Sequence, residues 1–230
     1  MSPSIRSLLP FALLLAGASA AGATDAILVH DASVSTKKPT KVYGDKSILK
    51  VSDTDTAYLQ FDLSTLPAGA APGDVSKATL WLFANRVSKP GSIDLRRVTA
   101  PWDELDLAQS NAPEALVGVA PTGVALPVEA EEEYLALDVT ALVQLWLSGV
   151  EANHGVALFG AQDGGAFKFD SKENPKTSRA PRLEISFASQ GEQGETGPQG
   201  PAGPQGPMGP QGTQGPPGEK GDAGRAGVPL

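Results

Sequence analysis

The 230-residue chain carries 18 Lys plus Arg against 26 Asp plus Glu, a net charge of −8, and it has no cysteine. That excludes disulfides, a thiolate nucleophile and Cys-ligated zinc, and with only His30 and His154 a three-histidine metal centre is excluded too. The net acidic balance argues against general nucleic-acid binding, which draws on an overall excess of positive charge. A core can be built from 40% apolar residues, but 26 Gly and 20 Pro exceed what an ordinary globular domain uses. Gly-x-Ser-x-Gly, His-Glu-x-x-His and the phosphate-loop pattern are absent, so no cofactor is expected.

Residues 1–23 read as a cleaved secretory signal. Arg6 opens it, Leu8 to Leu15 form an apolar run too short to span a membrane, and small residues follow through Ala18-Ser19-Ala20 and Ala21-Gly22-Ala23. The expected location is therefore extracellular, with no membrane span in the mature chain.

Residues 24–188 read as one all-β domain. Ala57 to Leu63 alternates with Ala57, Leu59, Phe61 and Leu63 on one face, and Ala78 to Ala84 repeats the pattern with Ala78, Leu80, Leu82 and Ala84. Further strands are expected at Ala26–Val29, Ser47–Val51, Ser92–Leu95, Val156–Phe159, Phe167–Phe169 and Leu183–Phe187, a spacing that suggests a sandwich. One short helix is predicted over Asp138 to Leu147, capped by Asp138, with Val139, Leu142, Val143 and Trp146 on its apolar stripe and Gly149 at its end. The run Glu129, Glu131, Glu132 and Glu133 reads first as a solvated loop or edge and second as a cation site.

The glycine excess lies in residues 189–230. From Gly191 to Gly227 every third residue is glycine, thirteen in strict phase, with Pro198, Pro201, Pro204, Pro207, Pro210 and Pro216 directly after glycines. This is a collagen-like Gly-X-Y repeat, in which the crowded axis of three wound chains admits no Cβ and proline presets the extended conformation. A homotrimer through Gly191 to Pro229 is the expected partner state.

The ordered set Tyr43-Gly44, Leu59-Gln60-Phe61-Asp62-Leu63-Ser64, Ala78-x-Leu80-x-Leu82, Trp102-x-Glu104, Asn111-Ala112-Pro113, Asp138-Val139-Thr140, Phe169-x-Ser171-x-Glu173 and Ala180-Pro181-Arg182-Leu183 resembles the DNRLRE, or disaggregatase-related, domain. The resemblance covers nearly all of the globular part and implies an exported, jelly-roll-like antiparallel β-sandwich similar to carbohydrate-binding modules. Some relatives bind alginate-like acidic polysaccharides, so a polysaccharide partner is implied. The chain departs from the pattern at Ala108-Gln109, where Thr-Trp is usual, and at Tyr134, where Trp is common.

Two sets of ligand candidates follow. Trp81 and Phe83 alternate opposite the apolar face of their strand and Tyr58 opposite Leu59 and Phe61, so the three could share an outward face for sugar stacking. The competing reading has the segment Ala100 to Pro127 covering that face and making Trp81 core. The second set is electrostatic: Lys37, Lys38, Lys41, Lys46 and Lys50 crowd a stretch whose only acid is Asp45, with Tyr43 placed to stack and Arg96 and Arg97 as added carboxylate contacts. This set favours an acidic polymer. Trp102 and Trp146 are assigned to packing. Three function classes result: a secreted, non-catalytic glycan-binding or adhesive module made multivalent by a trimeric stalk, a structural protein whose head only registers the triple helix, and a polysaccharide-degrading enzyme. The last would rest on the carboxylate pairs Glu104 with Asp106 or Asp170 with Glu173, which lack a supporting acid/base constellation.

Overall fold

The computed structural model describes residues 22–116, 126–161 and 163–188. Most of the expected signal and the whole of the Gly-X-Y repeat lie outside the described residues. Eleven strands are present among those described: β1 (Ala23–Ser35), β2 (Ile48–Val51), β3 (Asp55–Asp62), β4 (Val75–Lys89), β5 (Gly91–Val98), β6 (Ala115–Leu116), β7 (Leu126–Val128), β8 (Glu133–Asp138), β9 (Val156–Gly160), β10 (Ala166–Asp170) and β11 (Arg182–Phe187). One helix, α1 (Thr140–Leu147), lies between β8 and β9, and a 3-10 turn occupies Pro72–Asp74. No helix among the described residues is long and apolar enough to cross a membrane.

All pairings are antiparallel and make two layers. In the first, β4 pairs with β8 along one edge and with β11 and then β10 along the other, while β2 extends beyond β10. In the second, β3 and β5 flank β9, and β6 and β7 continue beyond β5. β1 belongs to both: Ala23 to Ala26 pair with β11, and from Ile27 onward it follows β3, with a register shift between Leu28 and His30. An irregularity that re-aims a long strand in this way is how one strand turns the corner of a sandwich.

The alternation read from sequence sets the inner faces. Leu80, Leu82, Leu49, Phe169 and Ile185 from the first layer meet Leu59, Phe61, Ile93, Leu95 and Leu158 from the second in one buried core. Truncating any of the fully buried leucines to alanine would cost about 2–5 kcal/mol.

The helix closes over this core with Leu142, Val143 and Trp146 buried, as its stripe predicts. Its entry differs from expectation. β8 runs up to Asp138, Val139 becomes the cap position, and Asp138 instead accepts the Thr140 N–H (2.9 Å) and hydroxyl (2.6 Å). The exit is as expected, since Gly149 has φ of +71°, a conformation that favours glycine.

A second, smaller core lies on the outer face of the second layer. Tyr58, Ala32, Val34, Val98 and Ala157 are covered there by Leu107 and Trp102 from the segment after β5. The described part of the covering segment therefore lies over Tyr58, where Trp102, Leu107, Ala112 and Ala115 pack, and Trp81 is left half-buried, which corrects the reading in which the segment makes Trp81 core.

Candidate functional site

The stretch 36–47 between β1 and β2 is a loop whose backbone is tied down at several points. Ser110 donates its N–H to Pro39 O (2.8 Å), the Ser171 hydroxyl donates to Lys46 O (2.7 Å) and Ser171 N–H donates to Ser47 O (3.2 Å). Gly44 is buried against Glu104, where an added Cβ would stand 2.0 Å from the Glu104 carbonyl oxygen. Glycine is needed here for close approach of two backbones.

That held loop gathers the lysine candidates. Lys41, Tyr43, Lys46 and Lys50 line an open cleft of about 320 Å³ together with Ser33, Ser47, Ile48 and Asp55. Lys41 Nζ stands 5.1 Å from the centre of the Tyr43 ring. Lys46 pairs with Asp45 at 2.8 Å in an exposed contact that leaves it accessible, and this partner holds the Asp45 carboxyl below the usual range. Asp55 is engaged by the hydroxyls of Ser52 (2.8 Å) and Thr54 (3.0 Å). Three ammonium groups thus face two carboxylates, and the cleft is net positive in a protein that is negative overall.

The arginine pair is not part of it. Adjacent strand residues point to opposite faces. Arg96 lies over the Phe159 ring (4.2 Å) bound to Asp94 (2.8 Å), whereas Arg97 binds Glu151 (2.9 Å). Each guanidinium already holds a carboxylate of this chain, so the expected joint contact is corrected.

The aromatic trio is also divided. Tyr58 sits in the second layer, 3% exposed, with its hydroxyl donating to Pro113 O (3.1 Å) and its ring against Trp102. Trp81 and Phe83 belong to the first layer and share no face with it. Phe83 is 6% exposed beneath the Arg179 guanidinium at 3.7 Å, while Trp81 is half-buried. Beside them Tyr134, opposite Phe83 in register and 53% exposed, completes an aromatic patch. Trp81, Tyr134, Ser178, Ala180 and Arg182 line an open hollow of about 340 Å³. At its rim Arg182 already binds two carboxylates of this chain, Glu184 (3.0 Å) and Asp25 (3.4 Å). Tyr134 and Arg182 were not singled out from sequence as ligand residues, although Tyr134 stood out as a departure from the family pattern.

The remaining named residues are structural in placement. Trp102 donates to His154 O (2.9 Å), and Trp146 is in the core. Glu129, Glu131, Glu132 and Glu133 are all exposed at the turn into β8. The proposed carboxylate pairs separate into different hydrogen-bond sets. Asp170, fully buried, accepts from Asn85 (2.9 Å), Thr177 (2.8 Å) and Arg179 (3.2 Å), and Asn111 binds the backbone of Asp106. Glu104 and Glu173 instead meet Asp31 around the Lys172 ammonium, with Glu173 at 2.6 Å and Asp31 at 3.7 Å. Burial, together with the Glu173 carboxylate, pushes the Asp31 carboxyl up to about 8. These three acids converge closely enough to suit a cation, and Lys172 places an ammonium among them. The sequence carried no sign of this cluster, because its members come from three separate segments.

A sugar chain asks of a protein an accessible ring to stack on and fixed polar groups for its hydroxyls or carboxylates. A two-layer sandwich that offers both at its surface has the construction of a carbohydrate-binding module. Residues 23–187 match the family model of carbohydrate-binding module family 96, and the chain belongs to that family. No curated protein matches the chain.

Proposed function

We propose that the protein is a secreted, non-catalytic module that binds an acidic polysaccharide in the cleft between β1 and β2 and gains avidity from a trimeric collagen-like stalk. The observation that carries this reading is the convergence of Lys41, Tyr43, Lys46 and Lys50 on one open cleft, held by a loop anchored through Gly44, Pro39 and Ser171. Anchoring removes part of the ordering cost that a mobile lysine loop would incur on binding. The DNRLRE-like order of motifs supports an acidic glycan as partner. The unbroken glycine period from Gly191 to Gly227 supports three chains wound together. Three heads on one stalk would turn weak single-site binding to a repeating polymer into useful avidity without new contacts.

The test compares the full chain with a truncation ending at Ser189, by sedimentation and by retention on a polyuronate matrix. A trimer that becomes monomeric and releases faster on truncation is expected. A full chain that sediments as a monomer would remove the multivalent part, and absence of polyuronate binding by a trimeric full chain would favour the purely structural reading.

A further inference from the structure

Antiparallel register places Lys168 of β10 directly opposite Lys50 of β2 on one side and Arg86 of β4 on the other. Leu49, Val51, Phe167 and Phe169, their strand neighbours, all point into the core, so the three cations project from the outer face of the first layer. Lys50 and Arg86 are exposed and Lys168 is half-buried. None of the three has a carboxylate within 4.0 Å among the described residues, although nine Lys or Arg pairs with carboxylates form elsewhere. The nearby Glu131 carboxylate accepts the Val87 N–H instead. Like charges directly opposite one another destabilise a sheet. A row of three on a protein of net charge −8 is therefore a feature the fold does not need.

We infer that Lys50, Lys168 and Arg86 form a binding track for a polyanionic glycan chain, running from the lysine cleft across the outer face of the first layer. This rests on the acidic-polysaccharide reading of the cleft and extends it from a pocket to a line. Lys50 belongs to both, since it lines the cleft and begins the row. Successive strands stand about 4.8 Å apart, so the cations recur at a step comparable to one pyranose residue. A polymer bearing one carboxylate per sugar can meet one cation per strand, and no single oligosaccharide unit fills the line. The ligand class is thus a polyuronate bound along its length, with affinity that rises as the chain grows past the cleft.

The experiment uses the full chain and oligogalacturonates of increasing length, with polygalacturonate and its methyl ester as the acidic and neutral polymer probes. The Lys168→Gln/Arg86→Gln variant should bind polygalacturonate about three- to tenfold more weakly, the sum of two exposed ion pairs, and lose most of the gain that longer oligomers give the wild type. The shortest oligomers, confined to the cleft, should bind both proteins alike. Its melting temperature should be unchanged or higher, because removing apposed like charges relieves repulsion; a lower one would mark a structural role and overturn the track. Wild-type length dependence retained in this variant, while Lys41→Gln/Lys46→Gln weakens binding, overturns the track and leaves the cleft standing. Equal binding of the methyl ester overturns the charge basis of both. If the wild type binds no polygalacturonate, the reading on which the track rests fails first, and the track with it.

Discussion

The two outer faces of the sandwich have opposite fates. On the second layer, Tyr58, Ala32, Val34 and Ala157 are roofed by Trp102 and Leu107, and the arginine there, Arg96, is folded over Phe159 onto Asp94. On the first layer, Lys50, Lys168 and Arg86 stand in a row without acid partners among the described residues, and Tyr134 is 53% exposed beside Trp81. Both faces carry aromatic rings and cations, so residue type alone does not distinguish a ligand surface from a second core. What distinguishes them is whether another part of the chain already satisfies those groups.

Breaking the roof should produce the largest effect. Trp102→Ala removes the ring between His30 and Tyr58 and orphans His154 O, and a loss of about 3 kcal/mol is expected in urea denaturation. A loss below about 1 kcal/mol would mean the roof is not a core. Gly44→Ala should come next. Its Cβ would meet a backbone carbonyl at 2.0 Å, so the loop or the turn at Glu104 must move, costing roughly 2 kcal/mol and disordering the cleft enough to weaken polyuronate binding. Unchanged stability and binding in this variant would show that the loop is not held as described.

The faces differ in how easily they are read from sequence. Period-two alternation is written locally, so the inward set Ala78, Leu80, Leu82 and Ala84 and the helix stripe of Leu142, Val143 and Trp146 were legible. So was the lysine cleft, whose residues lie in one short stretch. Which layer a strand joins is not local, so alternation that turns Tyr58 and Trp81 outward on their own strands leaves open whether they share a face, and they lie on different layers. Lys168 and Arg86 meet only through register, with irregularities between Ala166 and Phe167 and between Lys168 and Phe169 that no single segment reveals. The separation of Arg96 from Arg97, by contrast, was available from alternation alone.

A smaller effect concerns the seam between the faces, where Asp31 lies among Glu104, Glu173, Lys172 and His30. Its carboxyl, raised to about 8, binds a proton more tightly in the folded protein than in the unfolded chain. Between roughly pH 5 and 8 the folded state therefore holds the extra proton, and stability falls as pH rises through that window. Glu173, held low by hydrogen bonds from Asp31, Lys172 and Ser171 despite burial, adds stability that is already complete there. Lys172 is raised by its bonds to Glu104 and Glu173 despite burial, and its contribution is lost only at higher pH. Thermal melts should show a decline from pH 5 to 8 that Asp31→Asn flattens; an equal slope in the variant would assign the decline elsewhere. The smallest effect is expected from Tyr134→Ala, which should leave the melting temperature within about 2 °C and weaken polysaccharide binding about two- to threefold. Unaltered binding would exclude the aromatic patch from the ligand surface.

The most direct measurement is the affinity of the full chain for polygalacturonate as a function of salt, for the wild type and for Lys41→Gln/Lys46→Gln. Exposed charges are screened over about 8–10 Å at physiological ionic strength. The wild type should therefore weaken steadily as salt rises, while the double variant starts weaker and depends less on salt, with its melting temperature unchanged. Wild-type affinity and an unchanged salt slope in the double variant would contradict the claim that this cleft holds the polysaccharide.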